Sequence, residues 1–317
     1  MKATVYTLLA TFLIAGLFAP IIANDRPIVA SVGGDLHFPA FRTYLGEFDQ
    51  GPGGLTWKRW WARLPEDSED WAVMPFIPYG PNEVHRGFLN ATPSLGVHYL
   101  GNDHAGRDVL TRLIHGASTA LFIALGTLVL AMLIGVPLGA LAGYFGGVVD
   151  LSVTSVLQIF LCFPPLFFVL AATAFVGSSL TGVVVVLGLL YWVSFARIVR
   201  GEILVLRDRE FVKCARGLGV GRIGIIVRHL LPAVRGPILV NGAFVAASSI
   251  IVESTLSFLG LGPGLRTVSW GQILMQGKQY SHLSAWHLWL FPAMVLVTLL
   301  FGLHYLADRA RGKSAGT

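Results

Sequence analysis

Residues 210–232 read EFVKCARGLGVGRIGIIVRHLLP and lie between two strongly apolar runs, 179–199 and 236–258. The apolar residues of this stretch recur at steps of three, four and one, and they are Phe211, Ala215, Leu218, Gly219, Ile223 and Ile226. That spacing predicts a helix with one apolar face. The segment is too short and too charged to cross a bilayer, so we expect the apolar face to pack against something outside the membrane. An ordinary amphipathic surface helix fits the same periodicity.

Outside this stretch the chain is dominated by long apolar runs. Of its 317 residues 54% are hydrophobic and 13% are charged, whereas an ordinary soluble domain has about 25% charged residues. Runs near 20 residues can cross about 30 Å of hydrocarbon. The sequence therefore predicts an all-α polytopic membrane protein with about six transmembrane helices. The six runs cover 5–23, 117–142, 148–176, 179–199, 236–258 and 286–306.

Two of these runs have features of their own. The first could be a signal peptide, but it exceeds the usual apolar length of about 7–15 residues, and Ile21-Ile22-Ala23 is a poor cleavage site. We therefore interpret it as a transmembrane helix. The third run contains Pro164 and Pro165, which remove backbone donors and predict a kink.

The distribution of charge predicts the orientation of the chain. The loop 197–235 carries nine Lys/Arg against three Asp/Glu, and the segment after 308 is also basic. Six spans place both termini on one side, and the excess of positive charge makes that side the cytoplasm. The net charge of +6 is therefore attributed to membrane orientation and not to nucleic-acid binding.

The polar segment 24–112 is predicted to lie on the extracytoplasmic side, with short strands, irregular structure and few helices. Its four tryptophans could bind substrate, or they could pack the segment and anchor it at the membrane interface. The predicted divisions are an N-terminal transmembrane helix 1–23, a large extracytoplasmic insertion 24–112, a transmembrane core 113–308 with a cytoplasmic loop 200–235, and a cytoplasmic tail 309–317.

The cytoplasmic loop carries a resemblance to a known family. After Glu210, its residues resemble the EAA loop of bacterial ABC importer permeases, whose pattern is E-A-A, three residues, G, nine residues, I, one residue and L-P. On this chain the pattern falls on Lys213, Cys214, Ala215, Gly219, His229, Leu231 and Pro232. Three positions depart from it. Lys213 replaces the acid, Cys214 replaces an alanine, and His229 replaces the isoleucine, as in the peptide-importer branch.

Three further stretches are similar to the C-type permease of dipeptide and oligopeptide importers. They are LGNDHAGRDVL at 100–110, ESTLSFLGLG at 253–262 and GYFGG at 143–147. The long segment 24–112 resembles the subgroup that includes microcin-C-type peptide uptake systems.

The resemblance implies a mechanism and a set of partners. The short helix would dock in a groove of a separate ATPase, Gly219 would permit a sharp turn, and Pro232 would stop the segment before the fifth span. The implied partners are a second homologous permease, two ATPase domains or subunits, an extracytoplasmic substrate-binding protein and membrane lipid. ATP and Mg²⁺ would be bound by the ATPase subunits and no cofactor by this chain, which would be a permease of the inner membrane and not itself an enzyme.

Glu253 is an acidic residue deep inside an apolar run, whereas Asp150 lies at the very start of another. A charge within the membrane is costly and usually faces a cavity or a partner. Glu253 could therefore lie on the translocation path or be paired inside the helix bundle.

Other functions remain as alternatives. The chain could be a permease for another solute, such as nickel, a sugar or a glutathione-like compound, or a secondary transporter or channel that works without ATP. A membrane enzyme would need a catalytic pair inside the spans, and the sequence offers no convincing candidate. The sequence also predicts no metal site, because its nine histidines are scattered without ligand spacing.

Overall fold

The computed structural model describes residues 2–43, 50–65, 67–94, 98–177, 179–264, 267–280 and 285–314. Of the predicted tail 309–317, residues 315–317 lie outside these ranges. In chain order the elements are α1 (Lys2–Ile22), β1 (Val29–Val32), β2 (Asp35–His37), α2 (Pro39–Arg42), α3 (Trp57–Trp61), β3 (Trp71–Val73), α4 (Val109–Phe145), α5 (Gly147–Cys162), α6 (Pro165–Val176), α7 (Leu180–Leu206), α8 (Glu210–Gly217), α9 (Arg222–Ile225), a π-turn (Ile226–Leu230), α10 (Leu231–Ala233), α11 (Arg235–Phe258), α12 (Trp270–Gln279) and α13 (His287–Ser314).

Within the described ranges, five helices are long and apolar enough to cross a membrane, namely α1, α4, α7, α11 and α13. Helix α4 has 37 residues, which corresponds to about 55 Å at the α-helical rise. It is therefore longer than the hydrocarbon layer is thick, and its ends extend beyond it. The predicted all-α polytopic fold is confirmed.

The third apolar run is broken and does not form one helix. Helices α5 and α6 meet at an angle of 89°, and the break falls at Phe163 and Pro164. Proline has no backbone N–H and disfavours the helical conformation of the residue before it, so Phe163 is extended (φ −93°, ψ 128°). The predicted kink is present, and it is so sharp that a sixth crossing exists only if α5 and α6 together count as one span.

Helices α4 and α7 approach each other closely through glycine. Three glycines four residues apart on α4 lie directly against the backbone of α7. A Cβ atom at any of them would overlap a carbonyl oxygen of α7. Small residues at this spacing allow two membrane helices to pack backbone against backbone. The pairs are Gly135 with Trp192, Gly139 with Ala196 and Gly143 with Arg200.

The polar segment between α1 and α4 contains a small antiparallel sheet in the order β2-β1-β3. Ala30 of β1 is fully buried and pairs with His37 on one side and Ala72 on the other. Backbone hydrogen bonds connect the segment to the end of α1, since Ile77 N donates to Ile22 O at 3.0 Å. The sheet is thereby held close to the C-terminal end of α1.

The tryptophans of this segment do not share one environment. Trp57 is buried, and its ring lies 5.9 Å from that of His37. Trp61 and Trp71 remain exposed. Of the two interpretations, packing within the segment therefore applies to Trp57.

Candidate coupling site

The segment after α7 begins with a short helix that ends in a defined turn. Helix α8 stops at Gly217, and Gly219 has φ +83°. Gly219 N donates to Arg216 O at 3.0 Å, and Val220 N donates to Ala215 O at 3.1 Å. These two bonds are those of a Schellman motif, in which a left-handed residue, usually glycine, closes the helix. The sharp turn expected at Gly219 is present.

One side of the segment is anchored in the helix bundle. Its buried side chains join the same hydrophobic cluster as Val199 and Ile203 of α7. Because packed interiors are dense and deform little, the segment is held firmly against the cytoplasmic end that we predict for α7. The anchoring residues are Val212, Ala215, Ile225, Ile226 and Leu230.

Other apolar side chains of the segment point away from the bundle. Leu218 is 85% exposed and Ile223 is 60% exposed, and Phe211 and Val227 are also exposed. Three arginines that flank them in the sequence, Arg216, Arg222 and Arg228, are exposed as well. The segment therefore exposes apolar side chains among positive charges on the side that faces away from the bundle.

This arrangement corrects the prediction of one helix with one apolar face. The Schellman turn at Gly219 separates α8 from α9, so the 3.6-residue phase is not continuous across it. Ala215 and Ile226 are buried, whereas Leu218 and Ile223 are exposed. The predicted face is thus divided between the anchor and the exposed surface.

The residues at the start of the EAA-like pattern have different surroundings. Lys213 Nζ lies 3.0 Å from Glu210 Oε1, and both side chains are largely exposed. Cys214 is an exposed free thiol, whereas Ala215 is buried. Glu210, Lys213 and Cys214 are therefore accessible to a partner, and Ala215 belongs to the anchor.

The end of the pattern lies on a distorted but continuous helical path. Residues 226–230 form a π-turn, and Leu231 N donates to Ile226 O five residues earlier. Pro232 lies in the next short helix, α10, and is exposed, while His229 and Leu231 are half-buried. Contrary to our expectation, Pro232 does not end the helical path before the fifth span. The wider turn before it accommodates its missing N–H, and α11 begins three residues later.

An ion pair and a hydrogen bond, both made by arginines, connect the surrounding helices beside this segment. The guanidinium of Arg200 on α7 pairs with Asp150 on α5 through two nitrogens, one of which, Nη2, is 2.8 Å from Asp150 Oδ2. Arg207 Nη1 donates to Gly143 O at 3.2 Å. Sequence reasoning did not identify these contacts, since their partners lie about 50 to 64 positions apart. The only signal was the presence of charges next to apolar runs.

Glu253 lies apart from the coupling segment, on α11. It is 2% exposed, and Ser257 Oγ donates to its Oε1 at 2.7 Å. Ser254 Oγ is 3.5 Å from Oε2. The geometry favours pairing inside the bundle over a position on an open path.

Metal-ligating side chains do not converge in the part of the chain that the structure describes. There, no group of three or more His, Cys, Asp or Glu residues is placed to hold a metal ion.

The chain matches a family model described as "Binding-protein-dependent transport system inner membrane component" over residues 135–312. The match begins within α4 and includes the whole coupling segment and both following spans. More than half of the chain is therefore similar to this family.

Two relatives are similar over a longer stretch of the chain. The chain is 35% identical over 237 residues to the oligopeptide transport system permease protein OppC of Haemophilus influenzae, which covers 74% of this chain and 76% of that protein. It is 37% identical over 250 residues to OppC of Escherichia coli K12, which covers 79% and 78%.

The fold is similar to that of a solved transporter. A chain of the MetNI methionine ABC transporter in an inward-facing conformation superimposes with a TM-score of 0.53 at 19% sequence identity, and the superposition covers 64% of this chain and 96% of that one. At this identity the likeness concerns the fold alone.

Proposed function

The chain belongs to the family of binding-protein-dependent transport system inner membrane components, and we propose that it is the permease subunit of an ATP-driven peptide importer. It would form half of a translocation path together with a second, homologous permease. The peptide substrate is proposed because the two relatives described above are named as oligopeptide permeases.

One observation carries the coupling role. Leu218 and Ile223 are large, apolar and exposed on a segment whose other side is buried among the spans. Exposed apolar side chains rimmed by charge are typical of protein–protein contacts. We propose that they insert into a groove of an ATPase subunit on the cytoplasmic side.

The proposed mechanism follows from the anchor. When two ATPase subunits close on ATP and Mg²⁺, they would carry the exposed residues with them. Since Val212 and Ile225 are fully buried in the cluster that contains α7, the displacement would pass to the spans as a rigid-body movement. Catalysis and cofactor binding would belong to the ATPase subunits, and an extracytoplasmic binding protein would deliver the peptide.

The test combines purification and transport. The tagged chain would be purified in mild detergent from its native membrane, beside a Leu218→Asp/Ile223→Asp double variant. Leu36→Asp serves as a matched control, because Leu36 is a similarly exposed residue of the polar segment. We expect the wild type and the control to retain an ATPase subunit and a second permease, and the double variant to lose the ATPase while still inserting into the membrane.

Uptake assays address the substrate. Cells that contain the wild type should accumulate labelled tri-alanine only while ATP is available, and cells with the double variant should not. Uptake that survives ATP depletion would contradict the importer proposal and favour a secondary transporter. Accumulation of nickel, a sugar or glutathione in place of the peptide would contradict the proposed substrate alone.

A further inference from the structure

A polar pocket of about 470 Å³ lies at the end of the bundle opposite the coupling segment. Helix α11 begins beside the coupling segment, and residues just beyond its other end line the pocket together with α12 and the loop before α4. The volume falls within the usual range of about 300–1,000 Å³ for small-molecule sites. In the proposed orientation the pocket lies on the extracytoplasmic side.

Arg112 contributes a buried positive charge to this pocket. Its side chain is almost completely buried, and its Nε and Nη1 atoms have no hydrogen-bond partner among the described residues. The nearest carboxylate oxygen is Asp103 Oδ2, which lies 3.6 Å from Nη1 and so beyond hydrogen-bonding distance. A buried guanidinium with unused donors is costly unless an acceptor is supplied.

Asp103 is already engaged by other donors. Its Oδ1 accepts from the backbone N–H groups of Ala105 and Arg107, each at 2.9 Å. Its Oδ2 accepts from Arg107 Nε at 2.7 Å. One carboxylate therefore faces two arginines, and the pocket retains an excess of positive charge. Glu253 does not offset this charge directly, because Ser257 lies between it and the pocket and hydrogen-bonds to it.

The pocket also contains unused acceptors. Gln276 is buried, and its Oε1 atom has no hydrogen-bond donor among the described residues. The Nδ1 atom of His104 is likewise buried without a partner. Burial lowers the pKa of His104, so the ring is neutral near pH 7 and adds no positive charge. The ligand must therefore offer a hydrogen-bond donor as well as a negative charge.

A carboxylate next to an amide N–H meets both requirements. The guanidinium fork matches a carboxylate in a planar, two-bond arrangement, and an amide N–H can donate to the Gln276 oxygen. A phosphodiester, such as that of a lipid headgroup, would supply acceptors but no donor on the phosphate itself. The last residue of a peptide carries both groups in adjacent positions.

We propose that this pocket binds the C-terminal residue of a peptide, with Arg112 pairing the carboxylate and Gln276 accepting the amide N–H. The proposal rests on the proposed function for the source of the peptide. The assignment of a carboxylate to Arg112 depends only on the geometry of the pocket.

The test uses the full chain in nanodiscs of zwitterionic lipid and two probes, tri-alanine and tri-alanine amide. Saturation-transfer NMR measures the binding of each probe. We expect tri-alanine to bind about tenfold or more tightly than its amide, since the amide lacks the charge that pairs with Arg112. Arg112→Gln should remove this preference, and Arg112→Lys, which keeps the charge but not the fork, should retain part of it.

A second variant avoids disturbing the buried arginine. Gln279 lines the pocket and is exposed, so Gln279→Glu adds a negative charge without altering the core. It should weaken the binding of tri-alanine several-fold and leave the binding of the amide unchanged. Gln50→Glu, the same exchange at an exposed position of the polar segment, should change neither.

The outcomes separate this inference from the proposed function. Equal binding of the two probes to the wild type, or a preference that persists in folded Arg112→Gln, would overturn the inference and leave the importer proposal intact. Loss of tri-alanine binding when anionic lipid is added to the nanodiscs would also overturn it, because the pocket would then take a lipid phosphate. If propionate bound in an Arg112-dependent way to a chain that transports no peptide, the carboxylate site would be supported. Only the proposal that the carboxylate belongs to a peptide would be contradicted.

Discussion

Arg200 on α7 donates hydrogen bonds from two guanidinium nitrogens to the two carboxylate oxygens of Asp150 on α5. The pair joins the first half of the bent third span to the helix that leads into the coupling segment. Both side chains are partly exposed, at 28% and 22%, so the energy of the pair is moderated by solvent.

We expect Asp150→Asn to lower the thermal midpoint of the purified protein, with a cost of about 1 kcal/mol. A double-mutant cycle with Arg200→Gln isolates the pair, and the effects of the two changes should not add. Additive losses in thermal unfolding would mean that the two residues act independently.

Gly219→Ala should destabilise the coupling segment by about 1 kcal/mol, because an L side chain is strained in the left-handed region. There is open space around the glycine, so a clash would not contribute. Gly221 is the matched control, since it also has open space but a φ of −62°. Hydrogen exchange of residues 210–225 should become faster in Gly219→Ala only.

The larger change Gly219→Trp should leave membrane insertion intact and reduce the amount of ATPase that co-purifies. The indole would occupy the surface beside Leu218 that we assign to docking. Normal co-purification together with normal uptake in this variant would contradict the assignment.

Gly139→Leu should separate α4 from α7, because its side chain would occupy the position of the Ala196 carbonyl. Overpacking of this kind costs about 1–3 kcal/mol. Gly201→Leu on α7 is the control, since nothing lies within 4 Å of a Cβ at that position. Thermal unfolding in detergent should distinguish the two variants, and equal midpoints would show that the glycine contact contributes little.

The raised pKa of Asp25 leads us to expect that the stability of the fold depends on pH. Burial and the nearby Glu83 carboxylate raise the pKa of Asp25 above 3.8. The folded state therefore binds this proton more tightly than the unfolded state does. The stability that protonation of Asp25 contributes is lost as pH rises through the raised pKa.

Asp25→Asn should accordingly raise the thermal midpoint at pH 7, and the gain over wild type should shrink as the pH approaches 4. Asp35→Asn, at an exposed position of β2, provides the comparison. A gain that does not vary with pH would argue against ionisation of Asp25 as its cause.

The fold was more accessible to sequence reasoning than the surroundings of single side chains. Runs of about 20 apolar residues are constrained by the thickness of the membrane, so α1, α4, α7, α11 and α13 could be predicted from length and hydrophobicity. The bend at Pro164 was predicted in position but not in angle, because proline removes a hydrogen bond without fixing the direction in which the chain continues.

The coupling segment shows where periodicity fails. Its spacing suggested one apolar face, but a single left-handed glycine at 219 redirects the chain beyond it, and Ala215 before it and Ile223 after it therefore have opposite environments. Arg112 could not be recognised from its neighbours in the sequence, since the polar groups that make its pocket distinctive include Gln276, more than 160 positions away.

The glycine contact between α4 and α7 has a mechanical consequence. Where side chains interdigitate, two helices can shift by adopting alternative rotamers. Where backbone packs directly on backbone, no side chain is available to rearrange. Along the stretch where these glycines contact α7, the two helices therefore behave as one rigid unit, and the coupling segment packs against α7 just beyond it. A displacement applied at Leu218 is therefore passed to α4 and α7 together, and any movement between helices during transport takes place at other helix contacts.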